Sequence, residues 1–149
     1  MEKSFVTGSW QQTRAFSPAV ITKGDQTIVW LAGHTGAVSD DGRSLAGDFD
    51  AQFHQTFRNI ESTLAQCGCK LADIVTMTVF LIDTRLTTRM TELRSQLFGN
   101  NFPASAAITV TGFARPDIML EVQCVAVQEG YNERERVDRL SRRRPADMG

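Results

Sequence analysis

Apolar and polar residues along this chain repeat with two periods. Over residues 74–82 the period is two: Val75, Met77, Val79 and Leu81 take one face, and Thr76, Thr78 and Phe80 take the other. Such alternation in β-branched and aromatic residues predicts a strand. Between Asp48 and Gly68 the period lengthens to that of a helix, with Phe53, Phe57, Ile60 and Leu64 on one side. Asp48 or Asp50 is suited to cap its start, and Gly68 closes it. A second helix is predicted over about 86–98, carrying Met90, Leu93 and Leu97 and ended by Gly99. Residues 19–22 and 27–32 flank Lys23-Gly24-Asp25-Gln26 and read as a hairpin. Residues 33–47 read as a loop with Ser39-Asp40-Asp41-Gly42 as its turn, and 106–111 and 117–127 as the last two strands.

The predicted order is β-β-α-β-α-β-β without an internal repeat: an α+β fold, a mixed sheet with both helices on one face. The other face keeps apolar groups that no predicted helix covers. That imbalance by itself predicts an oligomer.

Composition narrows the class. The chain has 149 residues, 42% of them hydrophobic and 22% charged, which fits one globular domain. Its net charge of −1 argues against nucleic-acid or membrane-surface binding, which needs an excess of Lys and Arg. No apolar run approaches the ~18 residues of a membrane span, and Met1-Glu2-Lys3-Ser4-Phe5-Val6-Thr7 contains no signal-peptide core, so a cytoplasmic location is expected. Charge separates a domain, 1–128, from a tail, 129–149. The tail holds six of the sixteen basic and five of the seventeen acidic residues and runs into Ser141-Arg142-Arg143-Arg144-Pro145. It reads either as a solvated tail or as a short helix setting Val137 and Leu140 against a neighbouring subunit.

Three cysteines, an odd number, fit a reducing compartment. Cys67-Gly68-Cys69 is too closely spaced for zinc, and neither His34 nor His54 completes a ligand set, so no metal is expected. Cys124 lies in an apolar run and reads as a small core residue. Dinucleotide-binding, phosphate-loop and nucleophile-elbow motifs are all missing from the sequence. Trp10 and Trp30 read as packing groups rather than ligand platforms.

A resemblance carries further. Phe16-Ser17-Pro18-Ala19-Val20, Leu31-Ala32-Gly33, Ala51-Gln52, Asn59-Ile60, Leu64, Gly68, the strand at 75–81 with Asp83 after it, Phe102-Pro103-Ala104 and Glu121-Val122-Gln123-Cys124-Val125-Ala126 follow one another in order. Over about 14–128 the chain resembles the reactive-intermediate (enamine/imine) deaminase family, the RidA or YjgF type. The resemblance implies a homotrimer of chorismate-mutase-like subunits with three clefts between neighbours. It implies hydrolysis of small 2-imino or enamine acids to 2-keto acids and ammonia, without a cofactor. In that pattern an Arg after Pro-Ala clamps the substrate carboxylate, a Glu of the last strand handles the attacking water, and a Tyr and a Ser complete the pocket.

This chain departs from the pattern at each of those positions. Ser105 stands in place of the Arg, Gln123 of the Glu, Phe16 of the Tyr and Ala32 of the Ser; Gly33 is kept, and His34 follows it. Phe16, Ser17, Ala32, Gly33, His34, Ser105 and Gln123 are therefore the expected pocket. Gln123 can still orient a water but cannot accept its proton. Glu121 or His34 could act as a displaced acid or base, and Arg14 or Arg115 as a displaced clamp. The plainer readings are an interfacial ion pair for Glu121 and ordinary loop roles for the others. A divergent hydrolase of a small enamine, imine or amino-unsaturated acid is expected. The alternative is a non-catalytic trimer that binds a small ligand or regulates. Ribonuclease activity fits poorly with a domain carrying ten basic and twelve acidic side chains.

Overall fold

Asp48 starts the longer helix: its side chain accepts a hydrogen bond from Ala51 N at 3.0 Å, satisfying one of the amide groups a helix start leaves open. The computed structural model describes residues 1–130 together with Asp138 and Ser141. The expectations for Val137, Leu140 and the Arg run lie outside the described residues. The described elements are β1 (Glu2–Phe5), β2 (Val20–Lys23), β3 (Gln26–Trp30), α1 (Phe49–Gln66), β4 (Ile74–Leu81), α2 (Thr87–Phe98), β5 (Ala104–Thr109) and β6 (Leu120–Glu129). Four strands form one sheet in the order β3-β6-β4-β5, and β1 pairs with β2. β5 runs parallel to β4 and the other pairs are antiparallel, so the sheet is mixed and α2 is the crossover.

Helical periodicity translates directly into burial. Phe53, Phe57, Ile60 and Leu64 of α1 and Met90 and Leu93 of α2 pack on Met77, Val79 and Leu81 of β4 and Leu120, Val122, Cys124 and Ala126 of β6. Cys124 is a core residue, as its surroundings in the sequence suggest. The alternation of β4 is broken once, by a bulge between Ile74 and Thr76. It puts Ile74 in the core and leaves Val75 only half-buried, where strict alternation would have buried Val75 with Met77.

Three local expectations need correction. The strands around Gly24 both form, but they do not pair with each other. Gly24, at φ 103°, turns the chain out of the plane, and β2 pairs with β1 while β3 pairs with β6. β1 itself, four half-polar residues, carries no period to read. β5 starts at Ala104, directly after Pro103, and β6 starts at Leu120. Residues 110–119 are spent on a loop closed by Ile118 N donating to Arg115 O.

The sheet face away from the helices is open. It carries Ile28 and Trp30 of β3, Thr76, Thr78 and Phe80 of β4, Glu121, Gln123 and Val125 of β6, and Ile108 of β5. Trp30 is 76% exposed. Trp10, too, is largely exposed, its edge against Phe16 with 5.6 Å between ring centres. Neither tryptophan lies in the core of the single chain, because each sits outside the helix-covered face.

Candidate functional site

The expected pocket residues fall into two groups, on opposite faces of one sheet. Ser105 is opposite Met77, which is opposite Cys124 on its other side, so Ser105 belongs to the helix-covered face. Gln123 is opposite Thr78 and belongs to the open face. β4 lies between the two strands that carry them.

The first group gathers at the start of β5. Arg94 follows Leu93 on α2, one turn after Met90, so its stem is drawn into the buried face of the helix. It is 3% exposed and is the only charged side chain buried among the described residues. Its Nη1 donates to Ser105 Oγ and its Nη2 to the backbone oxygen of Arg14, both at 2.8 Å. The guanidinium carbon lies 5.8 Å from the centre of the Phe16 ring. Its Nε is buried and has no partner. Burial pushes this guanidinium down to about 10, and no carboxylate among the described residues contacts it. Residues 14–17 are held here by the backbone. Ser17 N donates to Pro103 O at 3.1 Å, and Ser17 bridges in parallel to Ala104. Ala15 is buried in the left-handed region at φ 61°, a costly conformation for a residue with a Cβ.

The second group gathers where β3 leaves the sheet. His34 exchanges two backbone hydrogen bonds with Val122, at 2.8 and 2.9 Å, which pins residues 32–34 beside β6. Gly33 lies against Glu121: a Cβ there would stand 2.9 Å from Glu121 Cδ. Only a glycine admits that carboxylate without displacement. Glu121 is half-buried, and its carboxylate has no partner among the described residues. Gln123 lines a shallow depression of about 240 Å³ on the open face with Trp30, Thr76, Thr78 and Val125. His34 turns onto α1 instead. Its Nδ1 stands 2.7 Å from Ala32 O, which can only accept, so Nδ1 carries a proton, and its Nε2 is hydrogen-bonded with Thr63 Oγ1 at 2.8 Å.

Ser17, Phe16 and Ser105 are thus brought together, as are Ala32, Gly33, Glu121 and Gln123, but the two sets do not meet within one copy. Arg115 is ion-paired to Asp117 in its own loop, and Arg14 contributes its backbone oxygen while its side chain is exposed. The cation at Ser105 is Arg94, which sequence reasoning missed. The signal was present: a charge inside the apolar stripe of Met90, Leu93 and Leu97. Among the described residues no cluster of three or more His, Cys, Asp or Glu is placed to hold a metal, and no helix is long and apolar enough to cross a membrane.

Fold and site together define an α+β domain whose expected pocket residues are divided between two faces of its sheet. The family model described as Endoribonuclease L-PSP matches residues 9–128, and the chain belongs to this family, the YjgF/RidA family. It is 30% identical over 113 residues to human 2-iminobutanoate/2-iminopropanoate deaminase, covering 76% of this chain and 80% of the human one. A RutC family protein of Pyrococcus abyssi is 30% identical over 102 residues, 68% of this chain and 80% of that one. Among solved structures, a YjgF family member from Mycobacterium tuberculosis is 28% identical with a TM-score of 0.58, covering 84% of this chain and 98% of its own. A Rid family protein of Yersinia pestis superposes with a TM-score of 0.71 over 86% of this chain and all of its own, at 20% identity, a likeness of fold.

Proposed function

We propose that this chain is a divergent Rid hydrolase that works as a cytoplasmic homotrimer. Its site is a cleft between subunits, where the Ser105 group of one copy faces the Gln123 group of the next. Residues 1–128 carry that site in this reading, and 129–149 form an appended Arg-rich tail. The observation that carries the proposal is the split of the pocket between two sheet faces, because a second copy is needed to complete it. The uncovered apolar face with Trp30 offers the surface for that association.

The reaction is hydrolysis of a small enamine, imine or amino-unsaturated acid: an enamine first becomes its imine by gaining a proton on carbon and losing one from nitrogen, water adds to the C=N carbon, and the carbinolamine expels ammonia to leave the carbonyl. Gln123 orients the water by hydrogen bonding, and Glu121, unpartnered beside Gly33, takes its proton and returns it to the departing amine. Glu121 fills this role because the amide of Gln123 cannot. The relation to the human deaminase supports the reaction class.

Purified protein is expected to accelerate ammonia release from freshly generated 2-aminoacrylate, 2-iminobutyrate or 2-aminomuconate, and Glu121→Gln is expected to abolish the acceleration. No acceleration with any of the three would remove the hydrolase reading. The replacement of a carboxylate by the amide of Gln123 favours one second reading, a trimer that binds a small ligand without turning it over. That reading predicts a rise in melting temperature with carboxylate metabolites and no ammonia.

A further inference from the structure

We propose that Arg94, acting through Ser105, is the anion receptor of the cleft and selects a small monocarboxylate. The inference rests on reading the cleft as a ligand site but not on turnover there. A buried guanidinium ordinarily has a carboxylate beside it, because a desolvated charge without a counter-charge is costly. Arg94 has none among the described residues. Its partners are a hydroxyl, a peptide oxygen and an aromatic face, all neutral, and its Nε is left over. The charge is held in place and left uncompensated.

Ser105 is the route by which that charge reaches a ligand. Its Oγ accepts from Arg94, and among the described residues its own proton is given no acceptor, which leaves it to be donated to a ligand. A hydroxyl whose oxygen accepts from a cation is a stronger donor than a free one. Ser105 is half-buried, within reach of a ligand, while Arg94 lies beneath it. The surroundings set the ligand's chemistry. One positive charge and one hydroxyl match a single carboxylate, whereas a phosphate would need several more donors. The Phe16 ring, with Trp10 at its edge, gives an apolar wall for a short carbon chain. The strained Ala15 serves the same arrangement, because it lets Arg14 O and the Phe16 ring meet one guanidinium.

The test is a titration of the full chain with 2-oxobutanoate and, in parallel, with its uncharged analogue 2-oxobutanamide. The readouts are calorimetry and the Nε–Hε resonance of Arg94, assigned by its loss in Arg94→Lys. Saturable binding of 2-oxobutanoate that moves this resonance is expected, with the amide at least roughly tenfold weaker. Arg94→Met is expected to lose the preference for the charged ligand, Ser105→Ala to weaken it, and Arg94→Lys to keep part of it. The resonance is read on the unmodified protein, so the test stands even where Arg94→Met does not fold. Equal binding of acid and amide, or a resonance unmoved at saturation, overturns the proposal. So does dissociation of the oligomer in Arg94→Met without any carboxylate effect, which would make a neighbouring subunit's carboxylate the counter-charge. Binding through Arg94 without ammonia release would leave this inference standing while the hydrolase reading fails.

Discussion

Ser105 and Gln123, which the family resemblance assigns to one pocket, face opposite sides of a single sheet, with β4 between their strands. No side-chain movement within one copy brings them together, since a strand's side chains are committed to a face by the pleat. If the two sets form the one site proposed above, activity has to follow association. Trp30→Lys is expected to dissociate the oligomer into single copies, measured by light scattering, and to abolish ammonia release at every protein concentration. Because Trp30 is 76% exposed in the single chain, the dissociated subunit should keep its stability to within ~0.5 kcal/mol. A variant that remains both associated and active would remove the interface from this face.

Gly33→Ala tests whether Glu121 is held for a purpose. The new methyl group would stand 2.9 Å from Glu121 Cδ and 3.0 Å from Oε2, so the carboxylate must swing aside. Overpacking of this kind costs about 1–3 kcal/mol, less where the displaced group is the free end of a side chain. The expectation is a small loss of stability by denaturant titration and a much larger loss of kcat. Unchanged kcat would mean that the position of Glu121 does not matter to the reaction.

The two helices and the central strand were legible because their periods are local and their burial follows directly. The division of the expected pocket residues between two faces was not, for a physical reason. Which face Ser105 takes depends on its parallel register with Met77, a pairing set by the crossover rather than by any residue near Ser105. The small run Ala104-Ser105-Ala106 has no period of its own, so the strand was read two residues late. Arg94 was hidden differently: an Arg on an amphipathic helix is usually solvated, and only its place one turn after Met90 marked it as buried. His34 illustrates the converse. Its nearness to Gly33 in sequence suggested the pocket, while the backbone exchange with Val122 turns its ring onto α1.

The cysteines give a prediction with a pH sign. Burial raises Cys69 and Cys124 to about 11, with Asp73 and Cys67 adding to the rise at Cys69. At pH 8 only about one in a thousand of each is then thiolate, the reactive form. Iodoacetamide should modify the half-exposed Cys67 in the native protein and spare the other two, with all three modified in denaturant, as read by mass spectrometry of peptides. The raised values also mean that the folded chain holds these protons more tightly than the unfolded chain, whose thiols titrate near 9.0. Stability should therefore be unaffected by these groups below pH 9 and fall as pH rises from there toward 11. Cys124→Ala should flatten part of that fall in a series of urea midpoints.

Gln52 ties the start of β6 to α1. Fully buried in the first turns of α1, it donates from Nε2 to Leu45 O at 3.0 Å and to Asp117 O at 2.8 Å, and its Oε1 accepts from Met119 N at 3.0 Å. Those bonds lock the loop that feeds β6, two residues ahead of Glu121. Gln52→Leu keeps the volume but takes the side-chain partners from Asp117 O and Met119 N, while Leu45 O keeps the hydrogen bond from Asp48 N. At about 1–3 kcal/mol for each orphaned group, the total loss for the two should be about 2 kcal/mol or more. Gln52→Glu should be worse still, because it replaces the donor aimed at two carbonyl oxygens with a negatively charged acceptor. If Gln52 were only filling space, the leucine variant would be the more stable of the two by little and close to the parent chain. If it anchors the strand, amide hydrogen exchange at Met119 and Glu121 should quicken in the leucine variant well before the core of α1 is affected.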